Sequence, residues 1–264
     1  MKSNWTLAIL AFTLIACSTV PLTGRKQMNL LPETQMMGMA SSSYGDFLNE
    51  NPALPASDPR SQLVKRVGEK VSAAAKEYLR ENGVVGRVNG YRWEFKVVDS
   101  PEKNAWCMPG GKVVFYTGIL DITQDEKGLA VVMGHEIAHA IARHGNERMS
   151  QSMALEMGGM GLNMALSKQN DLTKNIFLQS YGIGSSLGSL KFSRVHESES
   201  DHMGLVFMAK AGYDPAEAPK FWQRMKAAGG QAPPEFLSTH PSPSTRISDL
   251  NKWMAEAKGY YKGN

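Results

Sequence analysis

Apolar residues recur at helical spacing over residues 61–82, where Leu63, Val64, Val67, Val71, Ala74, Ala75 and Tyr78 fall on one face. The stretch Tyr91-Arg92-Trp93-Glu94-Phe95-Lys96-Val97 alternates apolar and charged residues and predicts a half-buried strand. Pro109-Gly110-Gly111 predicts a turn, and Lys112–Thr117 a second strand. Thr123 and Glu126 stand at capping-box spacing ahead of a helical run that reaches about Met149. A further helix is expected from about Ser193 to Ala211, stopped by Gly212. Asp214-Pro215 and Ser242-Pro243 each pair a capping residue with a proline suited to a first helical position. Two more helices should start there, the last running to about Ala257. Before residue 61 the periodicity is weak, with one short helix near 33–49 and a proline-rich break from Asn51-Pro52 to Pro59. Residues 153–190, rich in Gly, Ser and Met, contain no 18-residue apolar run; they predict a soft helical flap or a loosely packed helical pair, not a membrane span. The pattern describes a mainly helical α+β domain over residues 61–260 with a small antiparallel sheet, preceded by a segment at 17–60.

Composition narrows the function. At 264 residues, 42% hydrophobic and 20% charged, the chain is neither collagen, coiled coil nor wholly disordered, and it can bury a real core. A net charge of +4, scattered along the chain, does not point to nucleic acid. Two cysteines exclude a disulfide scaffold and a cysteine-rich zinc module, so any metal must be held by His and carboxylates. Cys107 sits in an apolar context and reads as a buried, inert thiol. At the N-terminus, Lys2 precedes an apolar stretch from Leu7 to Ala16, short for a bilayer but suited to a signal peptide over residues 1–16. Leu14-Ile15-Ala16-Cys17 resembles the lipobox of bacterial lipoproteins, which implies diacylation of Cys17. Ser18, where Asp would signal retention, implies export to the outer membrane. Two acyl chains make a stable anchor, and residues 17–60 are then expected as a lipidated tether.

The chemistry is concentrated between residues 135 and 240, where all six histidines lie. His135-Glu136-Ile137-Ala138-His139 is an HExxH motif on the predicted long helix. Residues four apart share a helix face, so both imidazoles can reach one ion. Glu136 is placed to take a proton from the attacking water and pass it to the leaving amine. A catalytic zinc needs a third protein ligand. A histidine six residues after His139 is ruled out, since Gly145 stands there. His144 turns off the metal face and is expected at the surface. Downstream, Glu197 and Asp201 are four apart and share a face, while Glu199 is rotated about 200° from Glu197 and should point elsewhere. That helix is the best source of a carboxylate ligand.

HExxH, then Ser193-Arg194-Val195-His196-Glu197-Ser198-Glu199-Ser200-Asp201, then Thr239-His240-Pro241-Ser242-Pro243-Ser244-Thr245-Arg246, resembles the zinc metallopeptidase family of HtpX and the CAAX prenyl protease. Asn104-Ala105, Pro109-Gly110-Gly111 and Thr117-Gly118 look like that family's strand before the zinc helix, and the likeness covers roughly residues 60–255. The resemblance implies a zincin-type fold, one Zn2+ per chain, Glu197 as third ligand and Asp201 as support for a ligand histidine. It also implies that the strand near 112–117 is an edge that pairs with extended substrate. Ser200 departs from the usual Ala. Lacking the membrane spans of the HtpX type, the chain is most similar to compact periplasmic lipoprotein members that act in outer-membrane quality control. His240 and Arg246 are the candidates to stabilise the negative tetrahedral intermediate. His240 has a second reading, a fourth ligand that holds the enzyme latent, and Arg246 could orient substrate or a nearby carboxylate. The function expected is an endopeptidase for misfolded or unassembled envelope proteins, with unfolded polypeptide as substrate, a lipid anchor at the membrane and no nucleic-acid partner. The competing reading is a lipid-anchored chaperone or assembly factor for outer-membrane proteins, for which an intact Glu136 would be unnecessary.

Overall fold

The computed structural model describes residues 17–156, 171–181, 193–228, 235–240 and 245–263. The expected signal peptide, most of the Gly/Met-rich segment and the Ser242-Pro243 helix start lie outside the described residues.

Two helices dominate the core. Helix α4 (Glu126–Ala142) is buried on all sides from Gly128 onward, which is why it carries little amphipathic signal. Its N-cap is Asp125, whose side chain accepts from the backbone N–H groups of Lys127 and Gly128. The expected Thr123 cap is therefore displaced: Thr123 closes the short helix α3 (Thr117–Thr123), and Glu126 pairs with Arg66. Nor does one helix run to Met149. Arg143 adopts a left-handed φ of +63°, which breaks the hydrogen-bond ladder, and α5 (His144–Glu156) leaves in a new direction. Helix α7 (Arg194–Lys210) has the expected Ser193 cap, and Gly212 follows it at φ +87°.

Helices α4 and α7 touch at Gly134 and Gly204. A Cβ on Gly134 would sit 2.7 Å from the Gly204 carbonyl oxygen, and one on Gly204 would sit 2.8 Å from the backbone N of His135. Only hydrogen on both sides lets the axes approach, and that approach sets the spacing between the two ligand-bearing helices. Gly204→Ala should lower stability by about 1–3 kcal/mol, as overpacking of a tight core does. An unchanged denaturant midpoint would contradict this account of the crossing.

Around this pair lie α2 (Pro59–Glu81), α8 (Glu217–Ala227), α9 (Glu235–Thr239) and α10 (Arg246–Tyr260). Helix α2 is capped by Asp58 with Pro59 at its first position and buries the predicted stripe, Val64, Val67, Val71, Ala75 and Tyr78. Helix α8 starts slightly later than expected, after a turn in which Asp214 accepts from the Ala216 N–H.

Strands β3 (Glu94–Val98), β4 (Ala105–Met108) and β5 (Lys112–Tyr116) form a sheet in the order β3-β5-β4. The β4–β5 pairing is antiparallel through the Pro109-Gly110-Gly111 turn, but β3 pairs with β5 in parallel, so the small sheet is mixed rather than wholly antiparallel. The expected edge at 112–117 is also corrected. Strand β5 is flanked on both sides, and the outer strand on that flank is β4.

Residues 17–50 form a short hairpin, β1 (Cys17–Thr19) with β2 (Lys26–Met28), and the predicted helix, α1 (Glu33–Glu50). Where a tether was expected, Val20, Leu31, Met36, Met39 and Tyr44 are buried against the rest of the domain, with Met36 and Met39 beside Trp106, Met149 and the helix α6 (Asp171–Ser180). Their irregular spacing hides a packed face. No described helix is long and apolar enough to cross a membrane.

Candidate metal centre

Helix α4 places His135 and His139 one turn apart, their Nε2 atoms 3.0 Å from each other. Helix α7 brings Glu197 against both: Oε2 is 3.5 Å from His135 Nε2 and Oε1 is 3.3 Å from His139 Nε2. His240 closes the group from the end of α9, with Nδ1 3.2 Å from His135 Nε2 and 3.1 Å from Glu197 Oε1. Phe236 stacks on its ring. All four side chains are buried, and one ligand atom from each lies within 4.8 Å of the others. Two imidazoles, one carboxylate and a third imidazole converging within 4.8 Å of one another could hold a single cation, and a nitrogen–oxygen donor set of this kind suits zinc.

The surrounding contacts prepare the donors. His135 Nδ1 lies 2.9 Å from Asp201 Oδ1, which fixes the ring proton on Nδ1 and turns Nε2 to the centre. Asp201 Oδ2 in turn accepts from Arg246 Nε at 2.6 Å, and the same guanidinium reaches Glu197 Oε2. Arg246 is buried, and its guanidinium carbon lies 3.8 Å from the centroid of Trp222. Burial lowers His240 to about 4, leaving a neutral ring with a lone pair to offer. Burial opposes the charge on His135, but the Asp201 and Glu197 hydrogen bonds outweigh it and raise His135 to about 9. Burial likewise opposes ionisation of Glu197, yet the facing His240 and His135 hold it well below its ordinary value.

Glu136 points from α4 toward β4, and its Oε1 is buried without a hydrogen-bond partner, 3.7 Å from His240 Nε2. Burial first, then the charge of Glu197, push this carboxyl up to about 8, in the range of a group that exchanges a proton near neutrality. The Cys107 backbone N–H also bonds to it. Because the Asn104 carbonyl accepts from the Tyr116 N–H in β5, alternation turns the Ala105 and Cys107 backbone groups to the side of β4 away from β5, where the Ala105 N–H donates to Asn104 Oδ1. The Cys107 thiol itself is buried and pushed well above its ordinary pKa.

Sequence reasoning misplaced His144. The turn at Arg143 swings it inward rather than to the surface, so it is fully buried with Nδ1 2.9 Å from His139 Nδ1. Glu199 does point away from the ligand group, but into a second, partly buried cluster with His144, Arg25 and Thr23. Nothing in the local pattern at Thr23-Gly24-Arg25 signals that contact.

Residues 64–254 match Peptidase family M48. The chain belongs to this family. It is accordingly a metalloendopeptidase, and the ion its donor set takes is zinc. Mitochondrial metalloendopeptidase OMA1 of Schizosaccharomyces pombe is 33% identical over 243 residues, 90% of this chain and 67% of the relative. The human mitochondrial metalloendopeptidase OMA1 is 30% identical over 268 residues, 97% of this chain and 49% of the relative. Beta-barrel assembly-enhancing protease of Yersinia pestis is 31% identical over 249 residues, 89% of this chain and 50% of the relative. The chain thus spans between about half and two thirds of the length of these three relatives.

Proposed function

We propose that this M48 metalloendopeptidase hydrolyses misfolded or unassembled proteins of the bacterial periplasm and outer membrane, held to the outer membrane by lipid on Cys17. The observation that carries the hydrolytic part is Glu136, a buried carboxyl with a raised pKa and an unpartnered oxygen beside three candidate ligands, His135, His139 and Glu197. When bound there, zinc supplies Lewis acidity and a water of lowered pKa. Glu136 takes the proton of the attacking water and returns it to the leaving amine, for which a pKa near neutrality suits both steps. An extended substrate adds as a strand along the side of β4 that faces away from β5, where the Ala105 and Cys107 carbonyls accept from it. That mode reads backbone rather than side chains and suits unfolded polypeptides of varied sequence. The envelope assignment is supported by the lipobox-like Leu14-Ile15-Ala16-Cys17 and by similarity to a relative named for β-barrel assembly.

Mass spectrometry of casein digested by the zinc-loaded protein tests the activity. Internal cleavages abolished by chelation are expected, and intact casein under both conditions would refute the endopeptidase reading. Native protein without acyl groups on Cys17 would refute the lipid anchor while leaving the peptidase intact.

Of the two readings for His240, its position inside the ligand group supports the latency ligand over the oxyanion donor. His240→Ala should then raise the rate on casein with zinc retained, because a position for water opens. A fall in kcat of about 10²–10³-fold would instead assign the donor role.

A further inference from the structure

We propose that Arg25, in the N-terminal hairpin, is a positioning residue for the zinc ligand His139, acting through Glu199 and His144. The inference rests on His139 being a ligand through Nε2. The remaining ring proton must then sit on Nδ1, which lies 2.9 Å from His144 Nδ1. His144 accepts that hydrogen bond, so its own proton is on Nε2, aimed at Glu199 Oε2 at 3.0 Å. The other oxygen of Glu199 accepts from Arg25 Nε at 2.9 Å and from the Thr23 hydroxyl at 2.8 Å. Every donor along this line meets an acceptor, and the direction of each bond follows from the metal end.

The same guanidinium holds a parallel arm. Its two terminal nitrogens grip Glu147 in a bidentate pair at 2.8 and 2.7 Å, and Glu147 Oε2 lies 3.1 Å from His196 Nε2. The His196 ring stacks on His144 at 4.5 Å between centroids. Glu147 and Glu199 are both almost fully buried, so removing the cation that bonds to both would leave two buried carboxylates without their ion-pair partner. Glu199 would turn toward solvent or take a proton, and His144 would lose the acceptor that sets its tautomer. His135 has the same kind of support from within its own half of the chain, the Asp201–Arg246 pair. The second ligand histidine takes its support from residue 25, more than a hundred positions away in sequence. On this reading the Arg25 side chain supports the catalytic centre, while the apolar side chains of the hairpin only cover the domain.

The test compares Arg25→Gln, Arg25→Lys, Glu199→Gln and the control Val20→Ala with the wild-type full chain. The readouts are zinc affinity by competition with a chromogenic chelator, kcat and KM on casein, and Tm. Arg25→Gln should weaken zinc binding and lower kcat by about 10–100-fold each, the cost expected when a partner behind a metal ligand is lost, with KM unchanged. Arg25→Lys should recover part of both, because a single ammonium neutralises the carboxylates without gripping two of them. Glu199→Gln keeps the guanidinium and changes only the acceptor of the His144 proton, so it should share the zinc and kcat deficits. Val20→Ala removes buried packing from the same hairpin. It should lower Tm while leaving zinc affinity and kcat as in wild type. Wild-type zinc affinity in Arg25→Gln, or an equal loss in Val20→Ala, would overturn the proposal. Wild-type values in Glu199→Gln would overturn it even if the Arg25 variants did not fold. A wild-type chain that bound no zinc would instead overturn the metal-site reading beneath it.

Discussion

Glu136→Gln should bind zinc like the wild type and lose kcat by about 10²–10⁴-fold, the usual contribution of a general base. The substitution keeps the shape and removes the proton acceptor, and Glu136 lies beside the ligand group without belonging to it. Its carboxyl is raised to about 8 because it is buried, chiefly, and because Glu197 is near. An amide pays no comparable penalty for burial, so the variant should be at least as stable as the parent. Measuring zinc content, Tm and casein cleavage on the same sample separates chemistry from folding. Full activity in Glu136→Gln would remove this residue from the reaction. The variant also separates protease from chaperone: if it still suppresses aggregation of an unfolded outer-membrane protein, binding and cleavage are distinct capacities of one chain.

His135→Ala, His139→Ala and Glu197→Ala should each fall well below one zinc per chain, because each removes one of the three ligands that hold the ion whether or not His240 occupies the fourth position. The three should differ in stability. Removing Glu197 takes one of the two carboxylates from buried Arg246, and breaking a buried ion pair costs about 3–5 kcal/mol. His139→Ala removes no charge partner of Arg246. Glu197→Ala should therefore unfold at the lowest denaturant concentration of the three, even with zinc chelated throughout. Equal midpoints for the metal-free forms would show that Arg246 is held by Asp201 alone. Normal zinc content in Glu197→Ala would displace Glu197 from the ligand set.

Much of this was legible in the chain because the determinants are local. The spacing of His135 and His139 fixes their relation on any helix, and neither depends on what packs outside. The four-residue step from Glu197 to Asp201 puts both on one face of α7, and the structure has both facing the α4 histidines. The apolar stripe of α2, the Ser193 cap and the glycine after α7 are likewise settled by short-range rules. Cys107 is a buried thiol, as its apolar neighbours imply.

What the chain alone did not determine is long-range. Strand order depends on which strand lies beside β3, and that choice makes β5 central and leaves β4 as the edge. The helix that looked continuous to Met149 breaks at Arg143, where a left-handed backbone and an ion pair with Glu33 redirect α5 and bury His144. No periodicity announces such a break, since Arg is not a residue that favours it. Residues 17–50 looked like a tether because their buried side chains follow no repeat, yet Arg25 reaches Glu147 and Glu199 across more than a hundred residues of chain. Side-chain spacing and local caps are decided within a few residues. Edges, breaks and paired buried charges are decided by whatever the folded chain brings alongside, and those are the features that shape this active site beyond its motif.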